Sequence, residues 1–464
     1  LGMGGIGKTT LAIQLAHALR HHFVDGVLWA DATTDNPMPV MQAWGQALGY
    51  DLSLSPDLQS RTLALRGILA ERKVLIILDD VRSPEAVRPL LPGVTAGAVL
   101  LTTRDQDNAQ ALNARPYLLE ELSEQASLKL LTKIIGHERV AAEIEAAQAI
   151  CRLAHYLPLA LEICAKQLTR VSWERLATLE QRLLKETARL DRLALKDLNV
   201  RAAFEISWQA LTPAQRQIFT LLGLFAGRSF TVAALAHIAQ CPEQAATEHL
   251  ITFVTLSLVK STAPGVFRQH PLLANFAESH LENATLAGQR FAEYYLIFCQ
   301  AQRQNHRQLE DEFENIMHAM QIGFGQQQWQ AVIDYTDALA EPWVRFARYR
   351  EGRQGLEWGY TAAKTLEKLS RSIDYLIRWG QLCAEQNDQE EARRHLEEAL
   401  QLAAGTGGHP QVAEAQYHLA RLALEQGHYE EVDERLTNAH TLYQAVGDEL
   451  GVASILQLRG ILLH

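Results

Sequence analysis

The opening stretch Gly2-Met-Gly-Gly-Ile-Gly-Lys-Thr9 fits the spacing GxxxxGK[ST], a set of residue types suited to holding a chain of phosphates. Glycines let backbone N–H groups turn inward around phosphate oxygens, where side chains would obstruct them. A helix starting near Lys8 directs its positive end at the same anion. Lys8 reaches the β- and γ-phosphates, and the Thr9 hydroxyl is a ligand for Mg²⁺. The phosphate-binding set predicted here is Gly2, Gly4, Gly5, Ile6, Gly7, Lys8, Thr9 and Thr10. Such a loop needs an acid at the end of a buried strand, and Lys73-Val-Leu-Ile-Ile-Leu-Asp79-Asp80 supplies two. Adjacent carboxylates after five apolar residues are costly unless they face solvent or a cation. Asp79 is the predicted Mg²⁺ partner, with Thr9, and Asp80 is placed to polarise an attacking water. A third run, Ala98-Val-Leu-Leu-Thr-Thr-Arg104, ends in an arginine positioned to sense a γ-phosphate, so Asp80 and Arg104 form the predicted catalytic pair.

These residues need a sheet to present them. Short unbroken apolar runs at Gly26–Ala30, Val74–Leu78 and Ala98–Leu101 read as strands buried on both faces. Helical stretches separate them around Thr9–Arg20, Pro39–Ala47, Gln59–Arg72 and Pro84–Leu91, a pattern of α/β with a parallel sheet. From Ser123 the signal is helical to about Leu195. Residues 198–285 then show three helical segments followed by strands at Leu256–Lys260 and Val266–Gln269 around Pro264-Gly265, which resembles a winged helix. The remainder is helical and repeats. Glu425-Gln-Gly-His-Tyr-Glu-Glu-Val432 follows Glu385-Gln-Asn-Asp-Gln-Glu-Glu-Ala392 by 40 residues, and Gly451-Val-Ala-Ser454 follows Gln411-Val-Ala-Glu414 by the same interval. A looser unit runs from Glu351 to Leu366. Helix pairs with small residues at their contacts resemble tetratricopeptide repeats. The expected domains are 1–122 (nucleotide core lacking its first strand), 123–197 (helical), 198–285 (winged helix) and 286–464 (all-α repeats).

At 464 residues, with 48% hydrophobic and 21% charged residues, the chain has ordinary globular composition. No apolar run approaches a membrane span, and no signal peptide opens the chain, which reads as an internal fragment. Five cysteines without paired spacing argue against disulfides or zinc and for a reduced, cytoplasmic setting. The net charge of −11 is concentrated in residues 286–464, which carry 16 basic and 26 acidic residues. Residues 198–285 balance at 5 and 5, and no region has the basic surplus of a nucleic-acid reader.

In combination, Gly2–Ala12, Leu78-Asp-Asp-Val81, Thr102-Thr-Arg104 and Leu157-Pro-Leu-Ala-Leu161 occur in the order seen in NB-ARC ATPases. These belong to the STAND class of signal-transduction ATPases, which includes plant disease-resistance proteins, animal apoptosome scaffolds and bacterial regulators. Residues 1–285 resemble that family, and Leu309–Asn315 through Glu351–Arg353 resemble the repeats of its bacterial members. The resemblance implies that Pro158 packs near an adenine and that His270 reaches the ADP β-phosphate in the resting state. Two departures stand out. Pro271 follows this histidine where plant members have Asp, and the strand and adenine-contacting loop that precede the phosphate loop in the family are not in this chain.

The function expected is a nucleotide switch with ATP/ADP and Mg²⁺ as cofactors. An inducer, protein or small molecule, engages the repeats, ADP exchanges for ATP, and the opened protein forms a homo-oligomer that activates an output domain. Hydrolysis by such a regulatory ATPase is slow and resets the switch. Neither a membrane nor a nucleic acid is an expected partner of these residues. Two alternatives stay open: a DNA-binding transcription regulator whose reader lies outside the chain, and a repeat scaffold with a vestigial NTPase.

Overall fold

The computed structural model describes the chain except residues 34–35, 54, 56, 94–96, 171–172, 192–197, 304, 407 and 463–464, so the expected boundary at 197 lies outside the described residues. Three parallel strands form the first sheet in the order β1 (Val27–Asp31), β2 (Leu75–Asp79) and β3 (Ala98–Leu101). β2 is the central strand. Leu75 through Leu78 are buried, and Leu75 and Ile77 pack on Ala12 of the helix Lys8–Leu19. The flanking strands differ from expectation. β1 alternates, with Trp29 outward, and Ala98 and Val99 at the start of β3 are exposed. Both are edge strands among the described residues, and only β2 is buried along its whole apolar run. A groove of about 740 Å³ runs beside β3, lined by Leu11, Leu15, Val99, Leu101, Leu112 and Tyr117.

Five helices follow, from Glu124–Ile135 to Leu176–Asp191. The helix Pro158–Arg170 lies deepest, burying Leu161, Ile163, Cys164, Ala165 and Leu168. The next segment is a winged helix with three strands: β4 (Ser229–Thr231), β5 (Lys260–Ala263) and β6 (Val266–Arg268), in spatial order β4-β6-β5. The sequence indicated two strands and placed the first at Leu256–Lys260. Leu256, Leu258 and Val259 are instead core residues following the helix Glu243–Thr255, and the exposed Lys260–Ala263 pairs with β6. β4 is equally short but, unlike β6, has no Pro-Gly turn beside it to mark a strand.

The C-terminal helices pair antiparallel: Trp329–Arg345 with Tyr349–Thr365, Leu369–Glu385 with Gln389–Thr406, His409–Glu425 with Tyr429–Val446. Left-handed residues punctuate their turns at Gln327, Ala347, Glu367 and Asn387 in steps of 20, and again, 20 apart, at Gly427 and Gly447. The 40-residue repeat is therefore two 20-residue helix–turn units. Small residues sit at the contacts as expected; a β-carbon on Gly355 would overlap the Trp343 ring, and one on Gly380 would meet Leu396.

The chain divides into two compact units, Leu1–Pro37 with Arg66–Tyr294 and Met38–Leu65 with Tyr295–His464. The helix Met38–Ala47, with Met41 and Trp44 buried, thus belongs to the second unit although its sequence lies inside the nucleotide core. No helix among the described residues is long and apolar enough to cross a membrane.

Candidate nucleotide site

Gly5 and Gly7 hold left-handed φ values of 81° and 101°, which bend the opening loop onto the start of the helix Lys8–Leu19. Ile6 is buried and anchors the loop. Lys8 turns back over the loop, its Nζ donating to the carbonyls of Gly2 (2.7 Å) and Met3 (3.0 Å). Burial and the charge of Arg104 lower the Lys8 pKa, opposed by Asp80 and Asp79. These two carbonyls hold the ammonium over the loop, from which an incoming anion would draw it. Thr10 is exposed on the first helical turn, with no role visible in its contacts.

The acidic strand end reaches the loop. The Thr9 hydroxyl lies 3.0 and 2.9 Å from the two carboxylate oxygens of Asp79. Thr102, at the end of β3, donates its hydroxyl to Asp79 Oδ1 at 2.6 Å and accepts the Asp80 N–H at 2.9 Å. Asp80 is itself in the left-handed region, at φ 55°, a conformation that a non-glycine residue keeps only when neighbours hold it. Its carboxylate lies 3.2 Å from Arg82 and 3.6 Å from Arg104. The adjacent Thr103 hydroxyl donates to the Val81 carbonyl (2.8 Å), tying the two strand ends together.

Two further segments close over the loop. Leu159, in the helix Pro158–Arg170, donates its N–H to the Gly5 carbonyl at 3.4 Å, and Pro158 faces Gly7. From the winged helix, Leu272 lies so near Gly4 that an added β-carbon would sit 3.1 Å from it, with Arg104 on the same side at 3.5 Å. His270 caps the helix Pro271–Glu278 by accepting the Leu272 N–H at Nδ1, 3.2 Å. Burial first, then the charges of Arg104, Lys260 and Lys8, push its pKa down to about 4. At neutral pH the ring is therefore uncharged, and with Nδ1 accepting, its proton is on Nε2. That nitrogen is a donor. Pro271 occupies the first helical turn, where its missing N–H is harmless, and packs on Gly227.

The donor set around Asp79 is oxygen only: two carboxylate oxygens and the hydroxyls of Thr9 and Thr102. Hard oxygen ligands with one carboxylate, completed by phosphate and water, suit Mg²⁺. A self-sufficient cluster of three or more His, Cys, Asp or Glu does not occur among the described residues.

Residues 1–141 match the NB-ARC domain family, and residues 372–445 match the tetratricopeptide repeat family. The chain carries an NB-ARC domain followed by tetratricopeptide repeats. It is similar to the Regulatory protein AfsR of Streptomyces griseus, at 38% identity over 64% of this chain and 32% of the relative. The AfsR of Streptomyces coelicolor is 32% identical over 100% of this chain and 47% of its own length. A probable disease resistance protein of Arabidopsis thaliana, RF45, is 29% identical over 38% of this chain and 20% of that protein. Among solved structures, a STAND protein with a tetratricopeptide repeat sensor from Pyrococcus horikoshii aligns over 98% of this chain and 77% of its own, at 14% identity and a TM-score of 0.46. The chain spans less than half the length of these curated relatives.

An NB-ARC domain is a P-loop NTPase core, and the residues singled out from sequence gather here around its loop: Gly2 to Thr9, Asp79, Asp80, Arg104, Pro158 and His270. Sequence reasoning missed four others. Thr102 and Thr103 were visible as hydroxyls ending a strand, with no hint of the two strand ends that they join. Asp31 and Arg268, which meet at 2.9 Å, are separated by 237 positions and carry no local signal.

Proposed function

We propose that this chain is the switching and sensing part of an ADP/ATP-operated regulator. The observation that carries this reading is the gathering around one glycine loop of Lys8, Arg104 and the His270–Leu272 segment, contributed by the loop, the sheet and the winged helix. That is a built anion site: an ADP diphosphate would use Lys8 and His270, and the γ-phosphate of ATP would add Arg104. Lys8 and the loop amides hold the phosphates, Pro158 lines the base side, and His270 ties the winged helix to the β-phosphate. Thr9 and Asp79 hold Mg²⁺, which when bound neutralises phosphate charge. Asp80 orients water and Arg104 senses the γ-phosphate. Hydrolysis is slow, because a switch works by shifting populations between states. The repeats receive the inducer, and the ATP-bound form self-associates to drive an output domain outside residues 1–464. The names of the relatives, regulatory and disease-resistance proteins, support a signalling role. In this reading the groove along β3 takes one further strand from upstream sequence.

Calorimetry on a chain extended upstream tests the site. Lys8→Ala should abolish ADP binding, and unchanged affinity would defeat the assignment. His270→Ala should speed ADP release by about tenfold to a hundredfold, since such a hydrogen bond is worth roughly 1.5–3 kcal/mol. A lowered melting temperature with an unaltered off-rate would make His270 a packing residue.

A further inference from the structure

Arg268 ends β6, two residues before His270. Its guanidinium serves two masters. Nε donates to the Gly227 carbonyl of its own winged helix at 2.9 Å, and Nη2 donates to Asp31 Oδ2, also at 2.9 Å. Asp31 is the last residue of β1 and lies in register with Asp79 across the β1–β2 ladder. Its other oxygen, Oδ1, accepts the backbone N–H of Thr33 at 3.2 Å and the Thr33 hydroxyl at 2.8 Å. The carboxylate is thus divided, one oxygen shaping its own strand exit and the other held by the winged helix. A planar fork bonded to two fixed acceptors sets direction as well as distance, which a lysine would not.

We propose that Arg268 and Asp31 form a latch that positions the winged helix, and with it His270, over the phosphate loop. Arg268 is a positioning residue: it touches no phosphate and acts through the histidine two residues along. A second tie supports the same closure, since the Ser257 hydroxyl of the winged helix donates to Glu162 in the helix Pro158–Arg170 at 2.9 Å. The two ties engage the winged helix at different points, one at the end of β6 and one after the helix Glu243–Thr255. The inference rests on reading the Lys8–His270 cluster as a nucleotide site. The Arg268 and Asp31 side chains are 42% and 40% exposed, so solvent screens the pair and its effect is modest.

The test uses the full chain, with amide hydrogen exchange of segments 27–33 and 266–272 measured without nucleotide, and the release rate of a fluorescent ADP analogue measured alongside. Asp31→Asn is the informative variant, because Asn keeps the oxygen that Thr33 needs and presents an amide donor to the Arg268 donor. It should accelerate exchange in both segments and raise the release rate about two- to fivefold, the range of an exposed ion pair. Arg268→Asp and Asp31→Arg should each do so as well, and the reversed pair together should return within about twofold of the parent. Parental exchange and release in Asp31→Asn would overturn the latch, as would a reversed pair no better than its worse single variant. A parent chain extended upstream that binds no ADP would sink the nucleotide reading, while the exchange measurements would still decide the latch.

Discussion

Thr102 shows how much a single hydroxyl can organise. It donates its one proton to Asp79 and accepts the N–H of the strained Asp80, so both carboxylates depend on it. Thr102 is buried, so Thr102→Val, which preserves shape, leaves the Asp80 N–H without its acceptor. Losing that bond should destabilise the fold by about 1–3 kcal/mol in urea unfolding. It should also weaken the Mg²⁺-dependent part of ATP affinity more than the Mg²⁺-free part. Thr102→Ser retains the hydroxyl and should behave as the parent. A serine variant as impaired as the valine variant would mean that the methyl group, and not the hydroxyl, matters here.

At the scale of elements, the repeats are joined by a ladder that keeps their 40-residue step. Arg353 reaches Gln386, Asp388 and Glu391, and Arg393 reaches Gln426 and Glu431 in the next unit. Hydrogen bonds from Arg393, and secondarily from Arg435, hold the Glu431 carboxyl down to about 2. Its pKa is depressed in the folded chain, so the unfolded chain takes up the proton first. The stabilisation is complete above the ordinary glutamate value of 4.5 and is lost as pH falls from there toward 2. Glu431→Gln should therefore lower the melting temperature at pH 7, and the gap from the parent should narrow below about pH 4.5. A gap that is constant from pH 7 to pH 3 would show that packing, not charge, carries this rung.

For the whole molecule the switch reading separates two nucleotides by residue. Asp79 and Arg104 address the metal and the γ-phosphate, which ADP lacks, so Asp79→Ala and Arg104→Ala should leave ADP affinity within about threefold, the span of an exposed contact. Both should abolish ATP-dependent self-association measured by light scattering. Equal loss of ADP and ATP binding would make them structural residues. Arg104 also lies 3.6 Å from Asp80, whose carboxylate keeps Arg82 at 3.2 Å when Arg104 is removed.

Local chemistry made much of this protein legible from sequence. Glycine spacing, a lysine at a helix start and acids after an apolar run are short-range signals, because backbone conformation and burial act over a few residues. The 40-residue echo was equally visible, since each repeat meets its neighbours through the same positions. What sequence could not decide is which distant segments meet. Thr102 reaches Asp79 because strand order places β3 beside β2. The helix Met38–Ala47 joins the second compact unit by a grouping that its composition does not announce. Asp31 finds Arg268 because the winged helix folds back on the strand ends. Such pairings follow from how whole faces pack, a property of the assembled chain that no local pattern encodes.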